Sequence, residues 1–266
     1  MPVFHHHAHA SALVGEHELE GQVLVFTWDG TGYGEDGTIW GGEALLGSPG
    51  NWRRVGSLRP FNLPGGDKAS REPWRCALSL CWEQGIDWPS CPQNSDLLRQ
   101  AWVRRINCPV TSSVGRLFDA AAALIGIADY SSYEGHAAMR LEAMGTFGAE
   151  PIILPITKNA DDVIISDWSA LLPFLMDARV SFAERSSVFH ASLAATISDQ
   201  AKAVREQHGI NRIGLAGGVF QNRLLTEQTL TTLEKFGFEI YLHENIPSGD
   251  GGISFGQIIE TGSKIP

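Results

Sequence analysis

The sequence has little with which to reach a membrane, a polyanion or an oxidising compartment. No apolar run approaches the roughly 20 residues that span a bilayer. The N-terminus lacks the basic segment and apolar core of a secretory signal, so a cytoplasmic protein is expected. Thirty acidic residues oppose twenty basic ones, and the net charge of −10 argues against nucleic acid as the main partner. Arg53-Arg54 and Arg104-Arg105 read as solvated surface or local ion pairs. Cysteine is scarce: Cys76, Cys81, Cys91 and Cys108 are separated by four, nine and sixteen residues, and none of these gaps makes a C-x-x-C zinc knuckle. Free thiols are expected. No G-x-S-x-G elbow or other nucleophile pattern marks a catalytic triad. Within those exclusions, 43% hydrophobic and 19% charged residues over 266 positions describe an ordinary globular protein with an ample core.

What is present begins at the N-terminus, with His5, His6, His7 and His9. On a helix His5 and His9 stand one turn apart on one face, a spacing that lets two imidazoles share one metal ion. A tag remnant or a simple surface pair gives the same letters. The interruption by Ala8 and the apolar-periodic continuation through Ala10, Leu13 and Val14 favour a genuine helix.

Residues 22–27 read as a largely buried strand running into Asp29-Gly30-Thr31-Gly32-Tyr33-Gly34, with Asp36-Gly37 as a hairpin turn before Thr38-Ile39-Trp40. The stretch 47–107 reads as an irregular insertion with little regular sheet and one helix, Glu72 to Glu83. Helices are expected over Arg116–Ile125, Gly135–Met144 and roughly 182–207. A β-loop-α-β-α segment comes next: strand 213–216, helix Arg223–Phe236, strand Glu239–Leu242 and helix Gly251–Ile259. That alternation predicts an α/β fold with a partly parallel sheet. No internal repeat or low-complexity linker is visible.

Four loops could carry chemistry. Asp29 ends a strand among glycines, where a carboxylate could hold a cation, or where a turn needs a former. The match of Gly32, Gly34 and Gly37 to a dinucleotide fingerprint fails, because a strand follows it rather than a helix. Asp250, in Pro247-Ser248-Gly249-Asp250-Gly251-Gly252, is either a helix N-cap or a further metal ligand; two histidines with two carboxylates suit iron(II), zinc or manganese. Gly217-Gly218 after a strand and before a helix suits a phosphate, or is one of the many diglycine turns that bind nothing. Gly115 and Asp119 open another helix, where Asp119 could hold ribose hydroxyls or simply favour the helix dipole.

Taken together, HHHAHA (5–10), DGTGYGEDGTIWGGE (29–43), LPGGDKASREPWR (63–75), TSSVGRLFDAAAALIG (111–126), SYEGHAAMRLE (132–142), FH (189–190), LAGGVFQNRLL (215–225) and SGDGGISFGQ (248–257) run through the chain in order. They resemble the C-terminal, carbamoyl-transferring (Kae-like) domain of the nickel–iron hydrogenase maturation family HypF. The resemblance implies an α/β lobe of the actin-like, hexokinase-like ATPase superfamily, a mixed sheet flanked by helices. It puts His5, His9, Asp29 and Asp250 on the family's metal ligands, for iron or zinc. It puts Gly115, Asp119, Gly135, Gly217, Gly218 and Asn222 on the elements that bind an adenine nucleotide (ATP, AMP or carbamoyl-adenylate).

The implied reaction moves the carbamoyl group of carbamoyl-adenylate to the C-terminal cysteine of a HypE-like partner and releases AMP, toward the cyanide ligands of the hydrogenase iron. Asp29 would act through the metal, and His190 could carry the proton of the incoming thiol or be a packed core histidine. The family's acylphosphatase-like, zinc-knuckle and adenylate-forming domains have no counterpart in the sequence, nor does its preceding lobe. The expectation is a connecting metal-binding helix (1–20) and a C-terminal lobe (21–266), with carbamoyl-adenylate made by another domain or protein. His136 stands where the family pattern leads one to expect glutamine. Alternatives are a small-molecule kinase or phosphotransferase of the same superfamily, for which a two-histidine, two-carboxylate site is unnecessary, or an inactive nucleotide-binding fragment.

Overall fold

The computed structural model describes residues 2–263. Chain order is α1 (His5–Glu16), β1 (Val23–Tyr33), β2 (Ile39–Ser48), β3 (Asn51–Leu58), β4 (Phe61–Asn62), α2 (Lys68–Arg71), α3 (Pro73–Glu83), α4 (Asp96–Val103), β5 (Val110–Thr111) and α5 (Val114–Ile125). The second half contains α6 (His136–Met144), β6 (Ile156–Lys158), β7 (Ile164–Ser166), α7 (Leu172–Leu175), α8 (Phe182–His208), β8 (Arg212–Ala216), α9 (Arg223–Lys235), β9 (Glu239–Leu242) and α10 (Ile253–Gly262).

The strand expected at 22–27 begins at Val23, and from Val23 to Trp28 it is buried on both faces. Val23 and Val25 join Leu13, Val14, Trp40 and Leu45 on one side of the sheet. Leu24, Phe26 and Trp28 join Leu117, Phe118, Phe189 and Leu193 on the other. A strand with helices on both faces is apolar at every position rather than at every second one. β1 pairs antiparallel with β2 and parallel with β8, which pairs parallel with β9, giving the order β6-β7-β3-β2-β1-β8-β9. This is the partly parallel sheet that the element pattern predicts and the mixed sheet flanked by helices that the resemblance implies. Among the described residues, no helix is long and apolar enough to cross a membrane.

The expectation of little regular sheet over 47–107 is corrected by β3, an eight-residue strand inside the main sheet between β2 and β7. Its polar face hid it: Arg53 and Arg54 sit mid-strand, and the register to β2 shifts between Ala44 and Leu45, which breaks the period of two. Arg54 is accommodated there by Asp36 at 2.8 Å and by the Trp40 ring. The expected closing helix also starts later than Gly251: Asp250–Gly252 form a 3-10 turn and α10 begins at Ile253.

The N-terminal histidines ride on α1, and Asp250 lies just before α10. These two helices pack so closely that a Cβ built on Gly256 would lie 1.9 Å from the carbonyl oxygen of Ala8. Both present small residues at this crossing, Ala8, Ala12 and Gly256, which lets the backbones touch.

Candidate metal and nucleotide site

α1 forms from the HHHAHA segment as expected, and its first two turns place His5 and His9 over the end of β1. There the β1–β2 ladder breaks: Trp28 pairs with Gly42 and Gly32 with Trp40, so Asp29, Gly30 and Thr31 face Gly41 alone. A bulge of this kind turns a side chain out of the sheet's alternation. It turns Asp29 toward α1, and the hairpin turn itself lies farther on, where Gly37 N–H donates to Gly34 O. Asp29 is therefore not the turn former.

Asp29 Oδ2 lies 2.8 Å from His5 Nε2 and 3.0 Å from His9 Nε2, and the two imidazole nitrogens are 3.2 Å apart. Asp250 Oδ1 completes the group at 3.5 Å from His5 Nε2 and 3.7 Å from His9 Nε2. One ligand atom from each of the four residues lies within 4.8 Å of the others. Asp250 does not cap α10; its carboxylate is 76% exposed, so the cluster is open on that side. Two neutral imidazoles and two carboxylates around one point fit a divalent ion of the borderline type, with net charge balanced.

Electrostatics favours the ligating form of the two carboxylates, whereas the carboxylates beside His9 outweigh its burial and raise its pKa, so a metal ion would have to displace that proton. Burial alone would raise the Asp29 pKa, but hydrogen bonds from His5 and His9 outweigh it and hold the carboxyl well below the usual range. Asp29 Oδ1 accepts from Gly30 N–H at 2.8 Å and Gly218 N–H at 3.2 Å. One carboxylate thus joins the histidine cluster to the Gly217-Gly218 turn. That turn needs glycine: Gly217 has φ +102°, and a Cβ there would lie 2.2 Å from the Trp28 carbonyl oxygen.

The cluster opens onto a cleft of about 490 Å³. Asp29, Gly115, Asp119, Gly135, Gly218, Asn222 and Asp250 all line it. Gly217 and His190 are not among its lining residues. His190 lies fully buried in α8 behind Asn222: Nδ1–H donates to Ser186 O at 2.8 Å and Nε2 accepts from Asn222 Nδ2 at 3.0 Å. Burial lowers its pKa to about 4. Asn222 Oδ1 caps α9 by accepting from Leu225 N–H. Asp119 is not free either, since Arg116 Nη1 stands 2.9 Å from its Oδ2. Burial raises the Asp119 carboxyl to about 6, against the opposing pull of Arg116.

Arg116 and Glu142 line the cleft and were not singled out from the sequence. Arg116 precedes Asp119 by three positions, the helical spacing of an ion pair, and that spacing was the available signal. Glu142 reaches the N-terminus of α9 by accepting from Arg223 N–H at 2.8 Å, a contact with no local signature. His136 opens α6 with its ring against Tyr133 and lies outside the lining of the cleft.

Residues 25–257 match the family described as carbamoyltransferase, Kae1-like domain, second subdomain. The chain belongs to this family. Similar proteins include the carbamoyltransferase HypF of Synechocystis sp., 38% identical over 97% of the chain and 36% of that protein. Another is HypF of Rhodobacter capsulatus, 39% identical over 99% of the chain and 36% of the relative. A HypF homolog of Cupriavidus necator is 35% identical over 96% of the chain and 69% of the relative. A full-length HypF crystallised in a phosphate- and nucleotide-bound form superposes with a TM-score of 0.91 at 33% identity, over 99% of the chain and 36% of that structure. The HypF of T. kodakarensis does so with a TM-score of 0.84 at 27% identity, over 98% of the chain and 36% of that structure. The chain spans about a third of the length of most of these HypF proteins.

Proposed function

We propose that this chain is the carbamoyl-transferring lobe of a hydrogenase-maturation carbamoyltransferase. It moves the carbamoyl group of carbamoyl-adenylate to the C-terminal cysteine of a HypE-like partner and releases AMP. Residues 1–20 serve as the connecting metal-binding helix and 21–266 as the lobe, and a separate domain or protein supplies the carbamoyl-adenylate. The observation that carries this reading is the convergence of His5, His9, Asp29 and Asp250 at the mouth of a cleft walled by Gly218 and the starts of α5, α6 and α9. The nucleotide-bound state of the similar full-length HypF is in keeping with nucleotide binding in this family.

In this reading the four side chains would hold a divalent iron or zinc ion, which would supply Lewis acidity. The chain's own residues do the positioning. Asp29 is fixed by two backbone amides on one oxygen, leaving the other for the cluster. Asp119 takes the ribose hydroxyls while paired to Arg116. His190 acts through Asn222, which it orients, rather than as a proton carrier. No protein nucleophile is required, because the mixed anhydride already holds a good leaving group. The cysteines agree: burial pushes the Cys81 thiol to about 12 and Cys108 to about 11, and none of the four lines the cleft. The attacking sulfur comes from outside the chain.

The test supplies carbamoyl-adenylate and a peptide ending in cysteine, and tracks S-carbamoylation by mass spectrometry. The wild-type chain is expected to form thiocarbamate and Asp29→Ala to fall to the uncatalysed rate. Equal rates with and without the protein would sink the reading. Phosphate transfer from ATP to a small alcohol would favour a kinase instead.

A further inference from the structure

A second, larger cavity of about 710 Å³ lies beside the nucleotide cleft. The two share a wall made of Gly30, Arg116 and Glu134. The rest of the second cavity comes from α2, with Ser70 and Arg71, and from the segment before α6, with Ser132 and Tyr133. Ile39 and Leu63 give it an apolar floor. None of His5, His9, Asp29, Asp250, Asp119 or Asn222 lines it. It is a separate compartment that meets the cleft at one place.

That place is Gly30, the residue after Asp29. A Cβ built on Gly30 would lie 3.7 Å from Arg116 Nη2 and 3.8 Å from Glu134 Oε1, which is ordinary contact distance. The missing side chain therefore leaves a gap between a guanidinium and a carboxylate, next to the metal cluster. Arg116 is only 6% exposed. Its Nε and Nη1 are buried without an aligned hydrogen bond, and Nη1 is paired electrostatically with Asp119. Nη2 is the nitrogen that stands at the gap.

Transfer between two substrates requires the reacting atoms to approach to about 3–3.5 Å. Space for the acceptor must therefore adjoin the cleft where the carbamoyl group sits. We propose that the second cavity receives the end of the acceptor chain, an extended peptide with a terminal cysteine carboxylate, and that Gly30 is the sill over which its sulfur reaches the carbamoyl carbon. The proposal rests on the carbamoyl-transfer reading. The thiol loses its proton to solvent, the sulfur–carbon bond forms, and the carbon–oxygen bond to the phosphate breaks with its electron pair leaving on AMP. The apolar floor suits side chains of the peptide, the serine hydroxyls suit its backbone, and Arg71 with Arg116 suits its carboxylate. A nucleic-acid acceptor is disfavoured by Asp67 and Glu134 in the lining and by the net charge of −10.

The experiment measures fluorescence anisotropy of a labelled short peptide ending in cysteine, as the free acid and as the C-terminal amide. Wild-type protein is compared with Ser70→Trp and Ser132→Trp, which fill the cavity from two segments of its lining. Ser70 and Ser132 line only this cavity and are not core residues. AMP affinity and bound metal are measured on the same samples. The expected result is preference of the wild type for the acid, and a rise in peptide Kd of at least about tenfold in both variants with AMP and metal unchanged. Unchanged peptide affinity in both variants, or no peptide binding by a wild-type protein that binds AMP and metal, would overturn the proposal. Loss of AMP and metal binding in the wild type would instead count against the carbamoyl-transfer reading, while the peptide titration still decides the cavity.

Discussion

Asp29 joins two sites with one carboxylate, Oδ2 toward the histidines and Oδ1 toward the amides of Gly30 and Gly218. Asp29→Asn keeps an acceptor for the amides and removes the charge. It is expected to fold like the wild type by circular dichroism while losing bound metal. His190 contributes to a pH dependence that it shares with the buried His6. The His190 imidazole is neutral in the fold, with a pKa lowered by burial from 6.5 to about 4. The stability it contributes is whole above pH 6.5 and lost as pH falls toward 4, because the unfolded chain takes the proton first. At ~1.4 kcal/mol per pH unit the loss approaches about 3 kcal/mol, and His190→Gln should flatten that part of a denaturation-versus-pH curve. Unaltered curvature in the variant would show that another group titrates. At this scale the sequence was informative where residue type and spacing carry the chemistry, as for His5 and His9 one turn apart. It was silent on Glu134 and Glu142, whose roles depend on what lies across the cleft rather than on their neighbours in sequence.

The site depends on α1 and α10 keeping their register, since α1 carries both histidines and the loop before α10 carries Asp250. Two buried carboxylates hold the pair. Glu260 on α10 accepts from Ser11 Oγ at 2.6 Å, Gly50 N–H at 2.7 Å and Trp52 Nε1–H at 3.1 Å. Glu16, at the far end of α1, accepts from the amides of Glu244, Asn245 and Ile246 and pairs with His243. Those hydrogen bonds outweigh burial and pull the Glu16 carboxyl down to about 2. Glu16→Ala frees the loop that leads to Asp250. It is expected to weaken metal binding by about 10-fold or more, as loss of outer-shell support commonly does, with helicity retained. Gly256→Val forces the helices apart at Ala8 and should cost about 1–3 kcal/mol in urea unfolding, with metal affinity falling alongside. A variant as stable as the wild type would mean that the two backbones do not touch at this crossing.

Across the whole molecule, the elements with clean periodicity were legible. α5, α8, α9, β8 and β9 fall within a few residues of where apolar spacing put them. β3 was not, because Arg53 points to solvent and Arg54 is held by Asp36 and the Trp40 ring, partners that only the folded sheet supplies. The bulge at Asp29 was equally invisible, since it is defined against Gly41 on another strand. The candidate residues were therefore readable one by one, while the reason they meet lies in tertiary structure: a bulge, a glycine crossing and two buried carboxylates. The central claim is that His5, His9, Asp29 and Asp250 form one divalent-metal site. Elemental analysis of tag-free protein purified without chelator, beside the His5→Ala/His9→Ala double variant, tests it directly. The account predicts near-stoichiometric iron or zinc in the wild type and none in the variant, and equal metal content in the two proteins would contradict it.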